Sequence, residues 1–111
     1  MKRVAFFALL PLACISASAD PTPVGLPDFS IDKSCAIFAG HPRTMALCED
    51  TETHFRTEVT GSWPRAPVPG RERCSQLASQ SERGKYEVLA RCLRAAVREA
   101  AWQDIVGSIK P

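Results

Sequence analysis

Apolar residues recur along most of this chain at helical rather than strand spacing. Ile31, Cys35 and Phe38 stand at i, i+4 and i+7 and share one helical face, with Gly40 as a natural stop. Pro42 suits the first turn of a following helix, along which Met45, Cys48, Phe55 and Val59 repeat until Gly61. Trp63 then stands as the expected core anchor at the turn. Pro64, Pro67 and Pro69 predict a stiff connector over 64–70. Beyond it Cys74, Leu77 and Ala78 mark a short helical stretch, and Gly84 precedes the longest helix, 85–108. No segment of useful length alternates at the two-residue period of a half-buried strand, and no internal repeat is present. The expected fold is all-α, a small domain of three or four helices.

The last helix contains a conflict. Tyr86, Leu89, Leu93, Ala96 and Ala100 form one apolar face, with Glu87, Arg91, Arg94 and Arg98 on the other. Farther on, Trp102, Ile105, Val106 and Ile109 also recur at helical spacing, but Trp102, Ile105 and Ile109 fall on the arginine side. One straight helix cannot bury both sets in one core. Either it bends near Ala101, or the terminal patch docks on the proline arm, a second copy or a partner. The reading favours packing within the chain and keeps the patch as the candidate interaction site, since exposed apolar patches commonly mark one.

The first residues change the picture of what the mature protein is. Lys2 and Arg3 precede an apolar run over 4–15, and Ala17 and Ala19 supply the small residues of a signal-peptidase site. The apolar run is short against the roughly 20 residues a spanning helix needs. Residues 1–19 are therefore expected to be a signal peptide cut after Ala19. The alternative is a lipoprotein anchored at Cys14, for which Pro11 is a poor fit to the usual leucine. Residues 20–29, with Pro21, Pro23 and Pro27, predict an extended arm, and 30–111 the folded domain. Removal of 1–19 takes Cys14 and leaves Cys35, Cys48, Cys74 and Cys92, an even set that reads as two disulfides in a periplasmic or secreted protein. Three pairings are open. Cys35 with Cys48 and Cys74 with Cys92 is preferred because each joins neighbouring helices. Each bridge is worth about 2–4 kcal/mol, comparable to the whole net stability of a small domain.

The formal net charge of +2 resides in the predicted signal, because Lys2 and Arg3 leave with it. A near-neutral mature chain argues against nucleic acid and against stable membrane association after cleavage. Charge is unevenly spread: 20–60 holds seven acidic and three basic residues, whereas 61–111 holds nine basic and five acidic. The halves are expected to pack with complementary charge; the sharper alternative is a basic surface for an acidic partner.

Chemistry-bearing clusters are few. The cysteines lack the close pairs of a zinc site and the Cys-x-x-Cys of a thiol oxidoreductase, so no metal or cofactor is expected. Asp50, His54 and Glu58 share a helix face at four-residue steps, an arrangement able to tune a base, and more commonly a solvated surface. His54 is the basis of a minor alternative, a small enzyme. Arg91, Arg94 and Arg98, with Arg71 and Arg73 upstream, could grip carboxylates or phosphates. The plainer expectation is an exposed face with Glu87 paired to Arg91.

Phe29-Ser30-Ile31-Asp32-Lys33-Ser34-Cys35, then Cys48, Trp63, Cys74 and the segment from Tyr86 through Leu93, resemble an uncharacterised family of small exported four-cysteine proteins from alphaproteobacteria. That resemblance implies export and the cysteine framework without an activity. The early cysteine pair, the acidic helix and Cys92-Leu93-Arg94 are also similar to LprI-type periplasmic lysozyme inhibitors. This second likeness implies inhibition of a cell-wall hydrolase. The function expected first is a non-catalytic periplasmic protein that binds another protein, with inhibition as the alternative.

Overall fold

The computed structural model describes residues 23–82 and 84–109. The predicted signal and its cut site, the lipidation alternative at Cys14 and the first residues of the arm lie outside them. Four α-helices follow in order: α1 (Ile31–Ser34), α2 (Pro42–Ser62), α3 (Val68–Ser79) and α4 (Lys85–Ile109), with no strand among the described residues. The expected all-α domain is what the chain forms, stapled by Cys35–Cys48 and Cys74–Cys92.

Three boundaries differ from the periodicity. The helix expected through Ile31, Cys35 and Phe38 is broken at Cys35 into α1 and a 3-10 turn, Ala36–Phe38. Ser30 caps α1, its hydroxyl accepting from the Lys33 N–H at 3.2 Å. Gly61 does not end α2, which runs one residue farther and passes into a second 3-10 turn, Trp63–Arg65. The proline connector is itself largely helical. Pro69 lies in the first turn of α3, where a missing N–H costs nothing. Arg71 holds the junction, donating from Nε to the Ala66 carbonyl at 2.8 Å and from a terminal nitrogen to that of Pro64 at 3.2 Å.

The long helices lie side by side. Glu52 meets Tyr86 and Glu87, and Glu58 meets Arg94, so α2 and α4 run parallel. Cys74 bonds Cys92 and Gly70 abuts Ala96, so α3 is antiparallel to α4. Gly70 lets the helices close at that crossing: a Cβ there would sit 3.0 Å from the Ala96 methyl, and the neighbour would have to give by a few tenths of an ångström. The core, Val59, Trp63, Ala66, Cys74, Ala78, Tyr86, Leu89, Ala90 and Leu93, is small and central. The segment before α1 completes it rather than hanging free. Leu26 and Phe29 pack against the core, Trp63 Nε1 donates to the Val24 carbonyl at 3.0 Å, and the Phe29 N–H donates to the Tyr86 hydroxyl at 3.0 Å.

Candidate functional site

Helix α4 buries one side and shows the other to solvent. Tyr86, Leu89, Leu93 and Ala96 are buried and Ala100 is half-buried, while Arg91, Arg94 and Arg98 are exposed. The expected Glu87–Arg91 pair forms at 3.2 Å. Arg94 reaches across to α2, donating from Nε to Glu58 Oε2 at 3.0 Å, with its guanidinium 5.8 Å from the Phe55 ring centroid. The hydrogen bond to Glu58 raises the Arg94 pKa and keeps the guanidinium charged. The charge complementarity expected between the halves is thus realised in one contact. Around it lies a cleft of about 470 Å³ lined by Glu58, Ser62, Arg65, Arg94, Val97 and Arg98. One carboxylate there faces three guanidinium groups, and no ion pair to Arg65 or Arg98 occurs among the described residues.

The end of α4 departs from the favoured expectation. Trp102, Ile105 and Ile109 are not buried among the described residues; they are 59%, 52% and 74% exposed, and Val106 is half-buried. The helix does not break at Ala101. Trp102, Ile105 and Ile109 continue the exposed side of Arg91 and Arg98, opposite the core, and the neighbouring helices also end before them. Continuing the pairing of Glu58 with Arg94 along α2 places its last residue, Ser62, level with Arg98. Continuing that of Gly70 with Ala96 along α3 places its first residue, Val68, at the same level. Residues 99–109 therefore extend past the ends of both helices over roughly 16 Å at 1.5 Å per residue, with Pro67 and Pro69 alongside as far as Asp104. Trp102 stands one helical turn beyond Arg98, so the arginine cleft and the apolar tip form one continuous face.

No protein family, curated protein or solved structure matches this chain. The site is therefore read from its own geometry.

Asp50, His54 and Glu58 do not form a cluster. Glu58 turns to Arg94, while His54 is exposed and meets Phe55 edge-on at 5.8 Å. Among the described residues, no group of three His, Cys, Asp or Glu is placed to hold a metal ion. Arg71 is absorbed in the Trp63–Arg65 junction, its guanidinium 5.6 Å from the Trp63 ring centroid, and Arg73 lines a shallow groove with Glu99 and Asp104.

Glu52 is a residue that the sequence reading passed over. It is 2% exposed, and its carboxylate accepts from the Tyr86 N–H at 2.9 Å and the Glu87 N–H at 3.3 Å, serving α4 as a cap supplied by α2. Its charge lies at the positive end of the α4 dipole. Gly84, in the left-handed region at φ +63°, turns the chain into α4 beside it. A signal for this existed: Glu52 falls between Cys48 and Phe55 on the apolar face of α2, and no serine, threonine or aspartate adjoins Lys85 to cap α4 locally. Lys85 in turn donates from Nζ to the Ser79 and Ser81 carbonyls, each at 2.7 Å, closing the end of α3.

Proposed function

We propose that this chain is a non-catalytic binding protein of the bacterial periplasm or exterior, and that it holds a partner protein on the uncovered face of α4. One observation carries the reading: Trp102, Ile105 and Ile109 project on an overhang beside an arginine cleft, with nothing among the described residues to cover them. A marginal domain that exposes its large apolar side chains together in this way gains nothing in stability from them. Export rests on the basic, apolar and small-residue pattern of 1–19 and on the two disulfides, which persist in oxidising compartments. No described helix is long and apolar enough to cross a membrane.

The test is a crosslinked pull-down from periplasm comparing the oxidised wild type with a Trp102→Asp/Ile105→Asp variant, shown beforehand by circular dichroism to be folded. A partner captured by the wild type and lost by the variant is the expected result. Equal capture by both, or none by either, removes the tip from consideration as a binding site.

A further inference from the structure

We infer that the α4 face takes an acidic amphipathic helix of its partner, an inference that rests on the binding role proposed above and names the chemistry of what is bound. The face is a narrow seam. Arg91, Ala95, Arg98, Trp102, Ile105 and Ile109 follow one another in steps of four, three, four, three and four, and all six are exposed. That is the 3.5-residue repeat by which one helix lies along another, with knobs from each filling holes in its neighbour. The seam lies opposite the core, so a partner helix can approach without displacing α2 or α3.

Charge selects the sign of the partner. Beside the seam, Glu87 and Glu58 each hold one arginine, Arg91 and Arg94, and both arginines stay exposed. Arg65 and Arg98 line the cleft and have no ion pair among the described residues. Guanidinium groups so placed accept carboxylates in two-pronged geometry. A helix carrying apolar residues at its own seam and glutamate or aspartate alongside satisfies both halves of the face.

The other occupants fit less well. A second copy lying along the full seam would set Arg91 and Arg98 against the same residues of its twin when parallel, and against Ile109 and Trp102 when antiparallel, leaving the guanidinium groups without carboxylates either way. A second copy paired through the tips alone would bury three partly exposed apolar side chains from each chain, well short of the roughly 1,200 Å² of a stable interface. A helix lying in a bilayer surface needs an apolar stripe along its length, whereas here the apolar residues occupy only the last turns and the stripe continues as Arg91, Ala95 and Arg98.

The experiment uses the oxidised protein and two labelled synthetic helical peptides, read by fluorescence anisotropy. Both have leucine at the seam positions; one carries glutamate beside the seam and the other lysine. The glutamate peptide is expected to bind at least about tenfold more tightly, and to weaken several-fold as salt rises from about 50 to 300 mM. Arg98→Glu is expected to cost the glutamate peptide about tenfold in affinity, and Trp102→Asp to abolish its binding. Equal binding of the two peptides, binding of neither, or indifference to Arg98→Glu overturns the inference. So does a Trp102-dependent dimer in sedimentation at the same concentrations, or Trp102-dependent binding to phosphatidylglycerol vesicles. A periplasmic partner lost by Trp102→Asp but retained by Arg98→Glu would leave the binding role standing and remove the acidic helix.

Discussion

The two halves of α4 are built from similar residues and end in opposite environments. Over its first three turns Tyr86, Leu89 and Leu93 are at most 1% exposed; over its last turns Trp102, Ile105 and Ile109 are more than half exposed. Hydrophobicity does not separate them, since isoleucine and tryptophan are as fit for a core as leucine and tyrosine. What separates them is the side of the helix on which they fall: Trp102, Ile105 and Ile109 continue the exposed line of Arg91, Ala95 and Arg98, opposite the core. Helices α2 and α3 pack on the side of Tyr86, Leu89 and Leu93 and end at the level of Arg98, so neither reaches the opposite side on which the tip residues stand. An apolar stripe is thus a statement about a helix, and burial a statement about what lies beside it.

The sharpest way to break that comparison is to truncate one side chain in each half. Leu93→Ala is expected to cost about 2–5 kcal/mol by opening a cavity in the core. Ile105→Ala should stay within about 0.5 kcal/mol, as exposed substitutions do. Urea unfolding of both variants reads the difference, and a comparable loss in the two would mean that the tip is packed after all.

A smaller effect is expected at the other end of α4, where Glu52 supplies the cap. Glu52→Ala leaves the N–H groups of Tyr86 and Glu87 without their acceptor, at about 1–3 kcal/mol. Hydrogen exchange of those two amides should accelerate in the variant beyond what its global stability accounts for. Unchanged protection at both would show that the first turn does not depend on α2.

The smallest effect concerns Tyr86, whose hydroxyl lies between the Phe29 N–H and Asp28 Oδ1. Burial raises its pKa above the ordinary 10.0, against the opposing pull of the Phe29 hydrogen bond. The native state then holds the phenolic proton more tightly than the unfolded chain does. Its contribution to stability is whole below pH 10.0 and is lost as pH climbs from there through the native pKa. Tyr86 is the single tyrosine of the chain, so tyrosinate absorbance reports it without deconvolution. Wild type should ionise later when native than when denatured, and coincident titrations would contradict burial as the cause.

Much of the architecture was legible from side-chain spacing. The long helices and the Trp63 anchor follow from local patterns, because helical periodicity is a property of neighbouring residues, whereas three cysteine pairings stayed open until the fold selected the preferred one. Local rules erred where two of them competed. Three prolines predict a stiff connector over 64–70, yet a missing N–H is harmless in a first turn, and Pro69 is accommodated there. The spacing of Ile31, Cys35 and Phe38 suggested one helix, but the backbone changes to a 3-10 turn after Cys35.

The candidate face was legible only in part. Its residues, and the fact that Trp102, Ile105 and Ile109 share a side with the arginines, could be read from the 100° step between successive residues. That Arg65 joins Arg94 and Arg98 in one cleft, that Glu58 serves Arg94 rather than His54, and that Glu52 caps a helix far away in sequence could not. Sequence alone determined which side chains each helix presents together, because that depends on its own pitch. The tertiary structure decided which of those faces are covered, because coverage depends on where the neighbouring helices lie: α2 and α3 pack on the side of Tyr86, Leu89 and Leu93 and leave the side of Trp102, Ile105 and Ile109 exposed.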